Sequence, residues 1–357
     1  MRLRDPPNSQ MYFSFSAQDE FFDSVRNIMS ENRKLRIGTR GSPLALAQTQ
    51  LVINTIKNTL PKNAEDNAIQ TVVIKTSGDR ITNNLLSDVG GKGLFTKELD
   101  EALTNNEIDL AIHSMKDIPT YLPENINLYA IMEREDPRDV LITIDNYGLD
   151  DLAEASIIAT SSLRRKSQLL NRNPKFKVVP LRGNIDTRLQ KLESKDFEAT
   201  ILAYAGLSRL KKEQLLSHVL DTKTMLPAVG QGILAATCRK SDIGINELLD
   251  LLVEPTVAAA AAAEREMLGV LGGSCRTPIA GLAIPDGKGN LELTGLVGSP
   301  DGQKACKKIK FGTIDNPRDL GRSVGEEILS AGGAEILRLF NQQRPIFIPP
   351  HPEGDND

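Results

Sequence analysis

The stretch Asp109-Leu-Ala-Ile-His-Ser-Met-Lys-Asp117 changes character halfway along. Residues 108–112 are a short apolar run of the kind that forms a buried parallel strand. The chain then supplies His113, Ser114, Lys116 and Asp117 in quick succession. Ligands of open α/β sheets sit just past the carboxyl ends of the strands. A proton donor and a fixed cation delivered there read as chemistry, although one such junction alone reads better as a loop with a solvated Lys-Asp pair. The pattern recurs. A strand expected at 34–39 leads to Arg40 and Ser42, and one at 156–159 leads to Thr160, Ser162, Arg164 and Arg165. Residues 176–181 lead to Arg182 and Arg188, and 199–203 lead to Arg209.

If these strand ends converge, the crevice holds many cations and almost no carboxylate except Asp117. Arginine pairs carboxylates and phosphates bidentately, so the ligand carries several anionic groups. There is no GxxxxGK[ST] or GxGxxG pattern and no acidic cluster suited to Mg²⁺, which favours carboxylates over a nucleotide. An aspartate among cations can stabilise a developing positive charge or shuttle a proton. Val89-Gly-Gly-Lys-Gly-Leu-Phe95 suits a mobile lid whose reaching side chains are Lys92 and Phe95. Cys275 lies between Gly272-Gly273 and Pro278, beside Arg276, which favours its thiolate. The bland reading of Cys275 is a buried inert thiol, and Cys238 inside an apolar strand fits that class better.

The elements that position these groups alternate between strand and helix. Further strands are expected at 69–75, 233–236, 279–284, 291–297 and 307–311, and helices at 44–57, 96–103 and 318–340. Ser42-Pro43 is a natural helix start. The charged run 133–139 and the segment 226–232 read as crossovers between domains. After Pro255 a helix with six consecutive alanines opens a third unit.

With 357 residues and a net charge of −4, the chain is large enough for two or three domains and is a poor general binder of nucleic acid. Its three cysteines and three histidines form no zinc pattern, so no metal is expected. No apolar run reaches the roughly 18 residues of a membrane span. Residues 1–34 lack a secretory apolar core and contain five carboxylates, unlike a transit peptide. They read as a flexible extension, residues 346–357 as a disordered tail, and the protein as cytoplasmic.

The motifs Arg40-Gly-Ser-Pro-Leu-Ala-Leu, Gly90-Gly-Lys-Gly-Leu-Phe, His113-Ser-Met-Lys-Asp, Glu133-Arg-Glu-Asp-Pro-Arg-Asp, Thr160-Ser-Ser-Leu-Arg-Arg, Leu181-Arg-Gly-Asn, Leu226-Pro-Ala-Val-Gly-Gln-Gly and the Cys275 loop closely resemble the hydroxymethylbilane synthase (porphobilinogen deaminase) family, in the family's order. The resemblance implies three α/β domains, the first two like the lobes of a type II periplasmic binding protein. They would span 35–132 plus 233–250, then 138–226, and finally 255–345 with the cofactor cysteine. It also implies a dipyrromethane cofactor joined to Cys275 by a thioether. Asp117 matches the family's catalytic aspartate, which assists loss of ammonia from porphobilinogen and stabilises the cations that follow. Four rounds and a hydrolysis would release hydroxymethylbilane.

The resemblance assigns cofactor carboxylates to Lys116, Thr160, Ser162, Arg164, Arg165 and Arg188, and counts Asp117 among the cofactor-binding residues. It assigns the incoming substrate to Arg40, Ser42, Arg182, Arg188 and Arg209. The chain departs from some members at Ser77 and Asp88, and in reading Gly-Gly-Ser-Cys before the cysteine. Porphobilinogen is the expected partner, with no nucleic acid or membrane, and a monomer is expected. The rivals are a non-catalytic two-lobed carboxylate-binding protein, which leaves Asp117, Cys275 and the third domain unexplained, and a transferase using Cys275 as nucleophile in every turnover.

Overall fold

The computed structural model describes residues 34–59, 68–80, 95–274 and 276–342. The first lobe runs β1 (Leu35–Arg40), α1 (Pro43–Thr59), β2 (Ile69–Ile74), α2 (Lys97–Thr104), β3 (Leu110–Ser114) and β4 (Ile126–Ile131). The second runs β5 (Asp139–Thr143), β6 (Ile157–Ala159), α3 (Leu163–Arg172), β7 (Lys177–Val179), α4 (Ile185–Glu193), β8 (Ala199–Ala203), α5 (Tyr204–Arg209) and β9 (His218–Leu220). The chain then returns to the first lobe as β10 (Leu234–Arg239) and α6 (Ile243–Asp250). A third domain follows: α7 (Pro255–Val270), β11 (Ile279–Pro285), β12 (Asn290–Gly298), β13 (Ala305–Thr313), α8 (Pro317–Ile328) and α9 (Ala334–Gln342).

The two large sheets share one plan. The first has the order β2-β1-β3-β10-β4 and the second β7-β6-β8-β5-β9. In each, the strand arriving from the other lobe lies antiparallel between its neighbours: β10 between β3 and β4, β5 between β8 and β9. This shared plan, with one antiparallel strand returning from the other lobe, fits the two-lobed architecture that the resemblance implied. The apolar runs form strands because both sheet faces are covered. Leu35, Ile37, Leu110 and Ile112 meet Val52 and Ile56 of α1, while Ala111 meets Leu99 and Leu103 of α2.

The alanine run of α7 is buried because the helix is pressed from two sides. Ala260 and Ala263 share a core with the third sheet, and Ala258 and Ala261 share one with Met115, Ile118 and Leu128 of the first lobe. Among the described residues no helix is long and apolar enough to cross a membrane.

Three strands escape the sequence reading: β4, β5 and β9. The charged run taken wholly as crossover already enters β5 at Asp139. The single helix expected over 318–340 is two helices, separated at Leu329–Gly333, where Gly332 has a φ of +105°. That left-handed backbone suits glycine and ends helical bonding.

The third domain grips the hinge. Glu264 on α7 is fully buried. Its Oε1 pairs with Arg134 Nη1 at 2.6 Å and accepts the Ala283 N–H at 2.8 Å, while Oε2 accepts the Gly230 N–H at 2.6 Å. Both crossovers are thereby tied to one carboxylate. The third domain also holds α3 from its far end. Asn171 Nδ2 donates to Gly302 O at 2.8 Å, and Gly302, with φ +74°, lies so close that a Cβ there would stand 2.4 Å from Asn171 N. Gly302→Ala is therefore expected to cost about 1–3 kcal/mol through backbone strain and displacement of α3. A thermal unfolding midpoint equal to the wild type's would show that this contact contributes nothing in solution.

Candidate functional site

The described cations of the two lobes lie at the carboxyl end of a strand or on the turn or helix that follows it. In the first lobe Arg40 closes β1, and its guanidinium lies 4.2 Å from the centre of the Phe95 ring, a cation–π distance. Of the expected lid pair, Phe95 is thus beside Arg40, and Lys92 lies outside the described residues. Ser42 Oγ accepts the Ala45 N–H at 3.3 Å and so caps α1, as its sequence position suggested. Lys116 and Asp117 occupy a single 3₁₀ turn, Met115–Asp117, directly after β3. Among the described residues no donor hydrogen-bonds the Asp117 carboxylate.

In the second lobe the residues after β6 build a helix start. Thr160 Oγ1 accepts the Ser162 N–H at 3.2 Å, and Ser162 Oγ accepts the Arg165 N–H at 3.4 Å, capping α3. The first turn of α3 then presents Arg164 and Arg165, both nearly buried. Their shared partner corrects the expectation that Asp117 is almost the only carboxylate here. Asp139, at the start of β5, is fully buried between them. Its Oδ1 accepts from Arg165 Nη2 at 2.7 Å, and its Oδ2 is 2.8 Å from Arg164 Nη2, close enough for an ion pair but not aligned as a hydrogen bond. The opposite guanidinium nitrogens donate to backbone, Arg164 Nη1 to Leu226 O at 2.6 Å and Arg165 Nη1 to Ile201 O at 2.7 Å. Both Nε atoms are buried without a partner among the described residues.

Burial pushes the Asp139 carboxyl upward, but Arg164 and Arg165 outweigh it and hold the group well below the usual carboxylate range. Burial pulls Lys116 down to about 8, against the pull of Asp117 and Asp139 and with the help of Arg165 and Arg164. Arg188 on α4 is lowered to about 10, first by burial and then by Arg165, with Asp117 opposing and Arg182 adding. Groups from both lobes therefore act on one another across the crevice. Arg188 Nε also donates to Gly183 O at 2.8 Å, which ties its stem to the turn before α4.

Arg209 stands apart: its Nη2 donates to Gly232 O at 2.7 Å, and burial lowers it to about 10 while Glu135 opposes. It joins Lys116, Ser114 and Gln48 around a small pocket between the lobes. His113, read as a proton donor, faces into the sheet instead. It is buried against Thr237 Oγ1 at 2.9 Å, and burial with the nearby Arg40 charge lowers it to about 4, so it is neutral near pH 7.

Cys275 lies outside the described residues. Its neighbours form a tight turn in which Thr277 Oγ1 donates to Ser274 O at 2.6 Å. Thr120, three residues past Asp117, donates to Gly273 O at 2.6 Å, which brings the cysteine's loop to the Asp117 segment. Cys238 and Cys306 are both buried.

Sequence reasoning missed two polar residues of this site. Gln231 is 1% exposed and bridges the lobes, donating to Asp139 Oδ1 at 2.9 Å and Pro137 O at 2.7 Å and accepting from Lys116 Nζ at 3.4 Å. Asp139 was hidden in a run of seven residues of which six are charged. The only signal for Gln231 was an amide between two glycines in an otherwise apolar hinge.

Two family models match the chain. One, described as "Porphobilinogen deaminase, dipyromethane cofactor binding domain", matches residues 35–247, and the other, "Porphobilinogen deaminase, C-terminal domain", matches residues 258–330. The chloroplastic porphobilinogen deaminase of Pisum sativum is 48% identical over 302 residues, covering 84% of this chain and 82% of that protein. The porphobilinogen deaminase of Bacillus subtilis is 43% identical over 306 residues, covering 85% and 96%. Among solved structures, an ancestral cationic amino acid solute binding protein aligns with 64% of this chain and 92% of its own at 15% identity, with a TM-score of 0.40. The chain belongs to the porphobilinogen deaminase family, transferases that work on a dipyrromethane cofactor.

Proposed function

We propose that Asp117, Cys275 and the crevice cations carry the family's reaction here: head-to-tail joining of four porphobilinogens on a dipyrromethane primer, then hydrolytic release of the linear tetrapyrrole. The observation that supports this most is the pair of orphaned Nε atoms on Arg164 and Arg165, buried beside Lys116 where cations outnumber carboxylates. A pyrrole chain bearing acetates and propionates supplies the missing acceptors. When bound, dipyrromethane provides the nucleophilic pyrrole carbon to which each new unit is joined.

The chain's own groups then divide the work. Lys116, Thr160, Ser162, Arg164, Arg165 and Arg188 hold the cofactor's carboxylates. Arg40, Ser42, Arg182, Arg188 and Arg209 orient the incoming porphobilinogen. Ser42 Oγ accepts a hydrogen bond from the Ala45 N–H in capping α1, so its own hydroxyl hydrogen remains able to donate to a substrate carboxylate. Asp117 stabilises the positive charge that develops on the substrate as its amino group leaves as ammonia, and it holds or moves the proton lost from the joined carbon. Lys92 and Phe95 act as the lid, with Phe95 supporting Arg40. Monomeric action on a small molecule in the cytoplasm completes the proposal, and fractionation tests that location against the organellar setting in the name of the Pisum sativum relative.

Intact mass with peptide mapping tests the reading. A gain of two porphobilinogens less two ammonias, localised to Cys275, is expected, and Cys275→Ser is expected to lack it. A wild-type protein that stays unmodified after incubation with porphobilinogen would favour the binding-protein rival.

A further inference from the structure

Gln231 does more than fill the hinge. Its side chain joins two segments whose relative placement defines the crevice, the Lys116 turn and the start of β5. The amide nitrogen donates to Asp139 Oδ1 and Pro137 O, the amide oxygen accepts from Lys116, and its backbone oxygen accepts from Arg134 Nε at 2.9 Å. An uncharged amide serves both ends: its nitrogen donates toward an anion and its oxygen accepts from a cation. We propose that Gln231 is a positioning residue, a neutral spacer that holds the Lys116 ammonium off the Asp139 carboxylate so that both remain committed to the cofactor-binding array.

With the spacer in place, Asp139 spends its charge on Arg164 and Arg165 and fixes them. Lys116 keeps its charge for an external carboxylate. Without it, Lys116 collapses onto Asp139, and one buried carboxylate is divided among three cations. The charged groups acting on Lys116 are Asp117 on its own turn, Arg164 and Arg165 on α3, and Asp139 on β5; Arg209 on α5 lines the same small pocket. The inference rests on the assignment of Lys116 to cofactor carboxylates.

The test compares Gln231→Ala, which opens the gap, with Gln231→Glu, which offers Lys116 a carboxylate. Lys116 of the full-length protein is acetylated before any porphobilinogen is added, and its labelling is followed against pH by peptide mass. An opposite charge in contact favours the ammonium. In both variants the pH at which Lys116 becomes reactive is therefore expected to move up by about one to three units. In the holoenzyme, KM for porphobilinogen is expected to rise about tenfold, the loss of one charged hydrogen bond, with a smaller change in kcat. Lys116 reactivity that stays at the wild-type pH in either folded variant overturns the spacer role, even if thermal stability falls. Because the labelling needs no turnover, it reads the spacer separately from the proposed reaction. A wild-type protein that fails to consume porphobilinogen would sink that reaction and leave the labelling result standing.

Discussion

Asp117→Asn is expected to leave the fold intact and to lower the rate of porphobilinogen consumption by about two to four orders of magnitude, the span of a positioned proton-transfer or charge-stabilising group. The turn Met115–Asp117 is fixed by backbone, with Met115 buried in the core and its N–H bonded to Ile233 O at 3.0 Å. Nothing in that anchoring uses the Asp117 carboxylate. The amide therefore fits the same space but carries no negative charge toward the cation formed as ammonia departs. Circular dichroism and the unfolding midpoint should match the wild type while turnover collapses. Turnover within a factor of ten of wild type would remove Asp117 from the chemistry and shift attention to a proton path through water. Mass analysis adds a second reading. Substrate units should still fail to accumulate on the protein if Asp117 acts at the deamination step, whereas a stalled release would leave extended adducts.

The contrast between Asp117 and Asp139 explains what the sequence could reveal. The place of Asp117 was legible because it follows the strand β3, and the end of a strand in an α/β sheet is where ligands sit. The arginines were legible for the same reason. Asp139 stands two residues after Pro137 in a stretch where Glu133, Arg134, Glu135, Asp136 and Arg138 are also charged, and composition cannot say which of them becomes buried. That choice is made by β5, which enters antiparallel between β8 and β9 and carries Asp139 opposite Ala203, under the first turn of α3.

Glu264 was hidden in a similar way. It sits between an alanine run and Arg265-Glu266, where a solvated helix face is the natural reading. It is buried only because α7 lies against both the first lobe and the third sheet. His113 erred in the opposite direction. Its strand-end position suggested chemistry, but side chains alternate along a strand, and its turn falls inward toward Thr237. Periodicity and junction chemistry thus located the crevice, while the pairing of buried charges depended on which distant strand lay beneath each helix.

That pairing leads to the largest expected effect on stability. Asp139→Asn removes the one carboxylate between two buried guanidinium groups and leaves Gln231 facing an amide. Breaking a buried ion pair by deleting one partner costs about 3–5 kcal/mol, because the remaining charge stays desolvated. Here two arginines remain, so the upper part of that range is expected at pH 7. The pH dependence follows from the depressed carboxyl. A group whose folded pKa lies below its unfolded value contributes stability that is fully present above the unfolded value, roughly 4. That contribution fades as pH falls through the folded value. The wild type's margin over Asp139→Asn should therefore be constant through neutral pH and begin to shrink below about pH 4. Urea unfolding midpoints at pH 7 and at progressively lower pH measure it. A margin that stayed unchanged on acidification would mean that Asp139 holds α3 by shape alone, and that Arg164 and Arg165 find their counter-charge elsewhere in the crevice.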